Sequence, residues 1–375
     1  MVTPTKAAQA IPQIADKLWI SPVTRVSLKQ ISAVGRSVLG SSDPSRALLK
    51  PAQFLHDELP VRLSHTLHLL QASPLAHSPL VLGYLSPRLQ QDLTVLSQLQ
   101  KPDTCERAQI FSQAIGKVRD RLRENVLAVG GGIQELVHQQ KIDPLNATQE
   151  EVISQFLDRF YALCLGVDVL TSEHLALAEG RNLVEPIRVD QIAKRVVEET
   201  SEYICRTRQI ASPPHIQIIA KESCTATHIP AYLNRILFEI LLPAFCSGSS
   251  RITLVVASGE EDVSIRVSDE GGGFPLRSSQ QRWSYLSPPS TYGASSYSNT
   301  PYASQTMPTL PTHGLPVARL IARYFGGDLN MVSMEGHGTD TYFALHRNDN
   351  FLENIPIVMS TEASRSENIF PLQMR

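Results

Sequence analysis

The first half of the chain repeats apolar residues at helical spacing. Between about Asp43 and Ala178, four successive stretches place them three and four positions apart, which predicts four long helices. The stretches are marked by Leu55, Leu59, Leu63 and Leu67, by Leu89, Leu93 and Leu96, by Val118, Leu122, Val126 and Val129, and by Phe156, Phe160, Leu163 and Val167. Long helices in succession are typical of a bundle. Pro60 should kink or start the first helix, and the glycines 130–132 should weaken the third.

From about Asn182 the pattern changes to short strands that alternate with helices. In chain order it predicts a helix from Pro230, a strand pair at 251–257 and 262–268, a helix at 314–325, and a strand pair at 328–334 and 339–346. Between Pro275 and Thr312, serine, proline, tyrosine and threonine crowd the chain without periodicity. A long mobile loop is therefore predicted there.

The second predicted strand of the first hairpin runs directly into an acidic residue and three glycines. Asp269 closes the strand, and Gly271, Gly272 and Gly273 follow it. A carboxylate fixed at a strand end accepts a hydrogen bond from an exocyclic amine such as that of adenine. Glycine lets the backbone turn tightly and approach a ligand closely. On these residues alone, a simple glycine-rich turn between strands is an equally good interpretation.

Composition narrows the classes of protein to consider. A chain of 375 residues is long for one core, so two domains are expected. A net charge of −2 gives no basic excess for nucleic acid, and no apolar run is expected to span a membrane. The five cysteines form no CxxC pair and the eleven histidines no HExxH motif, so we predict no disulfide scaffold and no metal ligands among them. Lys6 alone is a weak mitochondrial presequence signal.

Several motifs, taken in order, resemble the mitochondrial protein kinases of the α-ketoacid dehydrogenase complexes, which share the GHKL ATPase fold with gyrase. FLHDELPVRLSH at 54–65 and FLDRFYALCLGVDVLTSEHLAL at 156–177 match the helical domain of that family. SDEGGGFP at 268–275, GLPVARLIARYFGGDL at 314–329 and SMEGHGTDTYFAL at 333–345 match its nucleotide domain. The order holds over about 290 residues, which makes chance similarity improbable.

The resemblance implies an α+β fold with a four-helix bundle followed by a GHKL-type α/β sandwich that binds ATP. The expected parts are an N-terminal segment at 1–42, the bundle at 43–181, the nucleotide domain at 182–347 with a lid at 275–313, and a tail at 348–375. An N-terminal bundle and a mixed sheet would then form separate units.

Seven positions match residues that hold the nucleotide in the family: Asp269, Gly271, Gly273, Gly314, Leu315, Gly338 and Thr339. The resemblance implies that Asp269 contacts adenine, that Gly271 and Gly273 shape its pocket, and that Thr339 closes the pocket from the adjacent strand. Gly314 opens a helix, and helix N-terminal amides bind anions.

Glu239 matches the carboxylate that activates the attacking serine hydroxyl, although without the resemblance a solvated glutamate would be the simpler interpretation. In the family a lysine follows three residues later and an asparagine, which binds Mg²⁺, four residues later. Leu242 and Pro243 stand at those places, and neither offers the oxygen that Mg²⁺ requires. An interior proline costs about 3 kcal/mol, so the helix should kink or end just after Glu239.

Further departures fall in the lid and in the bundle. Of the three glycines in the GxGxGLP motif only Gly314 remains, since Leu310 and Thr312 replace the others. In the bundle, Leu122 stands where the family has a histidine, and Cys164 and Asp168 stand where it has arginines. The departures at Leu242, at Pro243 and in the lid argue against Mg²⁺ and against efficient phosphate transfer, whereas those in the bundle would affect the fold or the regulation.

Three functions remain open. The first is an ATP- and Mg²⁺-dependent protein serine/threonine kinase that phosphorylates the E1 component of a ketoacid dehydrogenase. The second is a pseudokinase of the same fold that acts as a binding or regulatory subunit. The third, a GHKL ATPase or histidine-kinase-like enzyme, fits less well because the bundle motif belongs to the mitochondrial family. The resemblance also implies a mitochondrial matrix protein that docks on lipoyl-bearing domains and forms a homodimer, or a heterodimer with a paralogue, through the sheet. No nucleic-acid partner is expected.

Overall fold

The protein is α+β and divides into two compact units. The computed structural model describes residues 17–208, 213–220, 224–287 and 313–355. One unit is built around Ala33–Leu183 and the other around Val184–Asn354. The stretch Val26–Ser32 belongs to the second unit, where Ser27 pairs with Leu352 in an isolated β-bridge.

The first unit is helical. Its helices are α1 (Leu28–Leu39, which begins in the stretch assigned to the second unit), α2 (Pro44–Ala47), α3 (Leu49–Gln71), α4 (Ser86–Gln98), α5 (Cys105–His138) and α6 (Ala147–Ala178). A single π-helical turn, Val81–Leu85, runs directly into α4. Helices α3 and α5 both pack on α6, and α4 packs on α3. Side-chain caps define two of the starts, because Thr104 accepts from Arg107 N–H at α5 and Asn146 accepts from Thr148 N–H at α6.

Pro60 and the glycines 130–132 all lie inside helices. Pro60 is buried within α3, so it does not start a helix, and the glycines 130–132 lie within an unbroken α5. Helix α6 is also apolar and long enough to cross a membrane, with a mean hydropathy of 1.3 in its most apolar window. However, 89% of that window is buried inside the protein, which is the behaviour of a core helix.

The second unit contains a five-stranded sheet with the order β2-β4-β5-β7-β6. The strands of this unit are β1 (Glu185–Arg188), β2 (His215–Ala220), β3 (Thr225–His228), β4 (Arg251–Ser258), β5 (Asp262–Asp269), β6 (Asp328–Met334) and β7 (Gly338–His346). Strands β2 and β4 are parallel, and the other pairs of the large sheet are antiparallel. Both predicted hairpins, β4–β5 and β6–β7, are confirmed. Strands β1 and β3 form a separate antiparallel pair.

Helices cover one face of this sheet. They are α7 (Val189–Arg208), α8 (Pro230–Cys246), α9 (Leu276–Arg282) and α10 (Gly314–Tyr324). Helix α8 packs on α7, α10 and β5, and α10 packs on β6. Val263, Ile265 and Val267 of β5 are buried on this face. Asp269 follows at the same spacing, so it lies on the helix-covered face at the end of the strand.

Three expectations about this unit need correction or lie outside the described residues. Helix α8 continues through Pro243 to Cys246, so the expected end of the helix at this proline is wrong. The first part of the predicted loop is helix α9. Most of the expected lid, with Leu310 and Thr312, lies outside the described residues, as do Lys6 and most of the tail.

Candidate functional site

A cavity of about 180 Å³ lies between the C-terminal end of α8 and the helix-covered face of the sheet. Helix α8 and the residue after it contribute Ile240, Pro243 and Ser247 to its walls. The glycine loop contributes Asp269, Gly271, Gly273 and Phe274, and the other wall residues include Arg282, Leu315 and Thr339. Five of the seven positions assigned to a nucleotide by resemblance therefore surround one cavity. The sheet register explains this, because Asp269 and Thr339 are directly paired on β5 and β7.

Asp269 is the acidic group of this cavity. Its Oδ1 accepts a hydrogen bond from Gly271 N–H at 2.9 Å, which fixes the carboxylate at the strand end. Burial raises the pKa of Asp269 above the ordinary 3.8, and the nearby Asp340 carboxylate raises it further. The hydrogen bonds from Gly271 and from the Ser247 side chain lower the pKa, but they only partly offset the burial. The site therefore holds an acceptor whose negative charge is poorly solvated.

Gly271 and Gly273 of the loop, and Gly338 across from it, are required by packing against neighbouring backbone and side chains. Gly273 has a φ of 60°, and a Cβ atom there would overlap the carbonyl oxygen of Met334. A Cβ on Gly338 would overlap the carbonyl oxygen of Asp269, and a Cβ on Gly271 would overlap the Ser247 side chain. Gly338 does not line the cavity itself; it lets β7 approach Asp269 closely.

Ser333 joins the glycine loop to the β6–β7 hairpin. Its Oγ accepts from Phe274 N–H at 2.9 Å and lies 3.0 Å from Thr339 Oγ1. The turn is tied to the same loop, because Gly336 N–H donates to the carbonyl oxygen of Gly272 at 2.7 Å. Sequence reasoning missed Ser333, although its position across from Thr339 in the predicted hairpin was a usable signal.

The start of α10 forms another wall. Leu315 lines the cavity, whereas Gly314 is buried at the preceding position. His313, at the N-cap position, makes no side-chain cap, and its ring packs edge-on against Tyr285 with the ring centroids 5.2 Å apart. Burial lowers the pKa of His313 to about 4, so its ring is neutral at physiological pH.

Glu239 lies in a buried ion pair. Its Oε1 is 2.7 Å from Nε of Arg235, one helical turn earlier on α8. The two side chains are 3% and 2% exposed, so the interpretation of Glu239 as a solvated surface residue is wrong. Ile240 and Pro243, on the same helix, line the cavity, whereas Glu239 is not among the described residues of its walls. The side chain that resemblance assigns to catalysis is therefore engaged with Arg235 rather than exposed to solvent.

Arg282 is a second residue that the sequence did not indicate. It ends α9, inside the segment predicted to be a loop, and its guanidinium carbon lies over the Phe274 ring, 4.7 Å from the centroid. Among the described residues around the cavity, it carries the one full positive charge. The cavity therefore presents both an acidic and a basic side chain.

Few side-chain ligands for a hard cation are found on the described part of the cavity wall. Asp269 is the one carboxylate among the described residues of the wall, and Pro243 occupies the place of the family's asparagine ligand. Across the described ranges, no group of three or more His, Cys, Asp or Glu side chains could hold a metal ion. A Mg²⁺ ion bound here would therefore take most of its oxygen ligands from the phosphates of a nucleotide and from water.

Comparison with known proteins agrees with the motif order. The sequence model described as mitochondrial branched-chain alpha-ketoacid dehydrogenase kinase matches residues 25–204. The mitochondrial [pyruvate dehydrogenase (acetyl-transferring)] kinase of Arabidopsis thaliana is 32% identical, over 84% of this chain and 90% of the relative. The human isozyme 3 of the same kinase is 30% identical, over 90% of this chain and 86% of the relative. The chain therefore belongs to the mitochondrial α-ketoacid dehydrogenase kinase family.

Proposed function

We propose that this protein is an adenine-nucleotide-binding pseudokinase that regulates a mitochondrial α-ketoacid dehydrogenase complex. The observation that carries the proposal is the buried ion pair between Arg235 and Glu239. A general base must come within hydrogen-bond reach of the proton that it accepts. Glu239 is instead held by a guanidinium, and breaking a buried pair is strongly unfavourable because it leaves an uncompensated charge.

The nucleotide half of the proposal rests on the cavity wall at the end of β5. Asp269, Gly271, Gly273 and Thr339 meet there, and a half-buried carboxylate suits the exocyclic amine of adenine. Leu242 and Pro243 stand where the family has a lysine and its Mg²⁺-binding asparagine. Contacts to adenine should therefore provide much of the affinity, and ATP and ADP should bind with similar strength and little dependence on Mg²⁺.

An active serine/threonine kinase is the second candidate. It is favoured by the names of the relatives, which are pyruvate dehydrogenase kinases, and by the regular helix that α8 retains through Pro243. In that case Glu239 would leave Arg235 to activate a serine of the E1 component, and the phosphates of ATP would carry most of the Mg²⁺ coordination.

We further propose a four-helix bundle for the first unit, a GHKL-type nucleotide domain for the second, and a location in the mitochondrial matrix. The relatives are named as mitochondrial kinases of pyruvate dehydrogenase, which supports a ketoacid dehydrogenase as the partner. The bundle would dock on a lipoyl-bearing domain. Tagged protein should then co-purify with a ketoacid dehydrogenase from mitochondria, and recovery only from the cytosol without any dehydrogenase subunit would contradict this assignment.

The deciding experiment is phosphate transfer from labelled ATP, with Mg²⁺, to purified pyruvate and branched-chain dehydrogenases. The pseudokinase proposal expects no incorporation above the level of Glu239→Gln. Because that variant removes the carboxylate beside the buried Arg235, the double variant Arg235→Met/Glu239→Leu serves as a second base-free protein. Glu261→Gln, on an exposed turn, is the matched control. Incorporation that both base-free variants lose and Glu261→Gln retains would establish the kinase instead.

A further inference from the structure

We propose that Arg282 binds a phosphate of the nucleotide in this cavity and takes the place of the metal ion as its positive charge. The inference deepens the proposed nucleotide site and rests on it. The ligand class is a purine nucleoside phosphate bound without a divalent cation.

The charges around the cavity call for a cation on the phosphate side. Asp269 is negative and poorly solvated at one wall, so a phosphate entering the cavity would be repelled unless a positive group also faces it. Arg282 lines the same cavity, and it is the one described wall residue with a full positive charge. A purine nucleoside phosphate matches this pair, since its amine suits Asp269 and its phosphate suits Arg282.

The stacking of Arg282 on Phe274 orients the guanidinium. Its central carbon lies 4.7 Å from the centroid of the ring. A guanidinium contacts an aromatic ring through its flat face, whereas its N–H donors lie in the plane. The backbone of Phe274 is held in place, because its N–H donates to Ser333 Oγ at 2.9 Å. The stack therefore reduces the conformational freedom that Arg282 would lose on binding an anion.

Helix α10 adds a second source of positive potential at the same cavity. It has 11 residues, and Leu315 at its second position lines the wall. The N-terminal end of a helix carries a partial positive charge and backbone amides suited to phosphate. Together with Arg282, the start of α10 makes the cavity more favourable for an anion.

The same walls explain why a metal ion would add little. Pro243 and Leu315 offer no oxygen ligand from their side chains, and Asp269 already accepts from Gly271 N–H. A divalent cation would therefore depend almost entirely on the phosphates for its coordination. Two features of the chain both favour nucleotide binding without a metal ion. Proline stands in place of the family's metal-binding asparagine, and an arginine lies at the cavity wall.

The test measures the affinities of adenosine and ADP for the full chain by calorimetry, first in EDTA and then with excess Mg²⁺. In EDTA, the unaltered protein should bind ADP about tenfold more tightly than adenosine, since a hydrogen-bonded charge pair typically contributes this much. Mg²⁺ should change the ADP affinity by less than about threefold. Arg282→Gln should abolish the preference for ADP and leave adenosine binding unchanged.

Arg319→Gln is the matched control. Arg319 stacks over Trp283 at 4.5 Å from the ring centroid, as Arg282 stacks over Phe274, but it does not line the cavity. The Arg319→Gln variant should keep the preference for ADP over adenosine. Three outcomes would overturn the role of Arg282 while leaving the adenine site intact. They are adenosine binding with no preference for ADP, a preference for ADP that survives Arg282→Gln, and a preference for ADP that appears only with Mg²⁺. Failure of the folded, unaltered protein to bind either ligand would overturn the proposed nucleotide site and this inference with it.

Discussion

Arg235 and Glu239 form an ion pair inside helix α8, with Nε and Oε1 2.7 Å apart and both side chains almost fully buried. The i,i+4 spacing places them on one face of the helix, and burial removes the water that would otherwise screen them. The carboxylate that resemblance assigns to catalysis is thereby used to neutralise an arginine. Under the pseudokinase proposal, this pair is what keeps Glu239 from acting on a serine hydroxyl, since breaking a buried ion pair is strongly unfavourable.

Arg235→Ala should lower the free energy of unfolding by about 3–5 kcal/mol, because it leaves Glu239 charged and buried. Arg235→Met/Glu239→Leu should restore most of this loss, since apolar residues of similar volume replace buried pairs well. Urea denaturation of the unaltered protein, the Arg235→Ala variant and the double variant measures both effects. The control is the exposed pair Arg206–Glu202, also at i,i+4, where Arg206→Ala should cost less than about 0.5 kcal/mol. Equal costs at the two pairs would show that Glu239 is not held as described.

Leu242→Lys/Pro243→Asn should introduce Mg²⁺ dependence into ADP binding. Asparagine supplies an oxygen ligand at the cavity wall, and its backbone N–H can donate to the Glu239 carbonyl, which proline cannot do. Calorimetry should show ADP binding several-fold more tightly with Mg²⁺ than in EDTA, and the variant should unfold at a higher temperature.

Leu242→Lys alone separates the effect of the added charge from that of the asparagine. It should leave the dependence on Mg²⁺ unchanged. A double variant that folds but gains no dependence on Mg²⁺ would show that Pro243 is not the reason for the missing metal site. Phosphate transfer should remain low in the double variant as long as Arg235 holds Glu239.

The behaviour of α8 shows where sequence reasoning succeeds and where it fails. Alternation and turn residues predict both hairpins, and Pro230 marks the helix start, because these signals are local. The expected end at Pro243 was wrong because the buried contacts of Ala244 and Phe245 hold the last turn in place. The i,i+4 spacing of Arg235 and Glu239 was visible in the sequence, but their burial depends on helices packed from elsewhere in the chain. Arg282 carried no signal, since its segment lacks periodicity.

Gly273→Ala should be more damaging than Gly272→Ala, although both positions have positive φ. The two variants share a backbone strain of about 1–2 kcal/mol. Gly272 has open space at the Cβ position, whereas a Cβ on Gly273 would overlap the Met334 carbonyl oxygen. Gly273→Ala should therefore unfold at lower denaturant and lose adenosine affinity, and Gly272→Ala should retain that affinity. Comparable losses of stability and adenosine affinity in both variants would mean that the shape of the cavity depends on backbone strain in the loop alone, and not on contact with the β6–β7 turn.

Asp269→Asn should stabilise the protein at neutral pH and weaken adenosine binding. Burial raises the pKa of Asp269 above 3.8, so the folded state disfavours the charged carboxylate relative to the unfolded state. For an acid with a raised folded pKa, stability increases as the pH falls through that pKa and the increase is complete below the unfolded value. The advantage of Asn over Asp should therefore be largest near pH 7 and should shrink below pH 4, as measured by urea denaturation. A difference independent of pH would contradict the assignment of the shift to burial.

We expect two copies of the chain to associate through the face of the five-stranded sheet that none of the described helices covers. Val332 and Met334 on β6 and Tyr342 on β7 are 62%, 65% and 43% exposed, and they point to the face opposite the helices. Adjacent exposed apolar residues on an edge strand and its neighbour favour an interface between proteins.

Analytical ultracentrifugation should show a dimer at micromolar concentration. The variant Val332→Glu/Tyr342→Glu should be a folded monomer, since two like charges would be buried on each side of the interface. Leu145→Glu, at an exposed apolar residue of the helical unit, should leave the dimer intact. A monomer before any substitution, or loss of association in the Leu145 variant alone, would place the interface elsewhere.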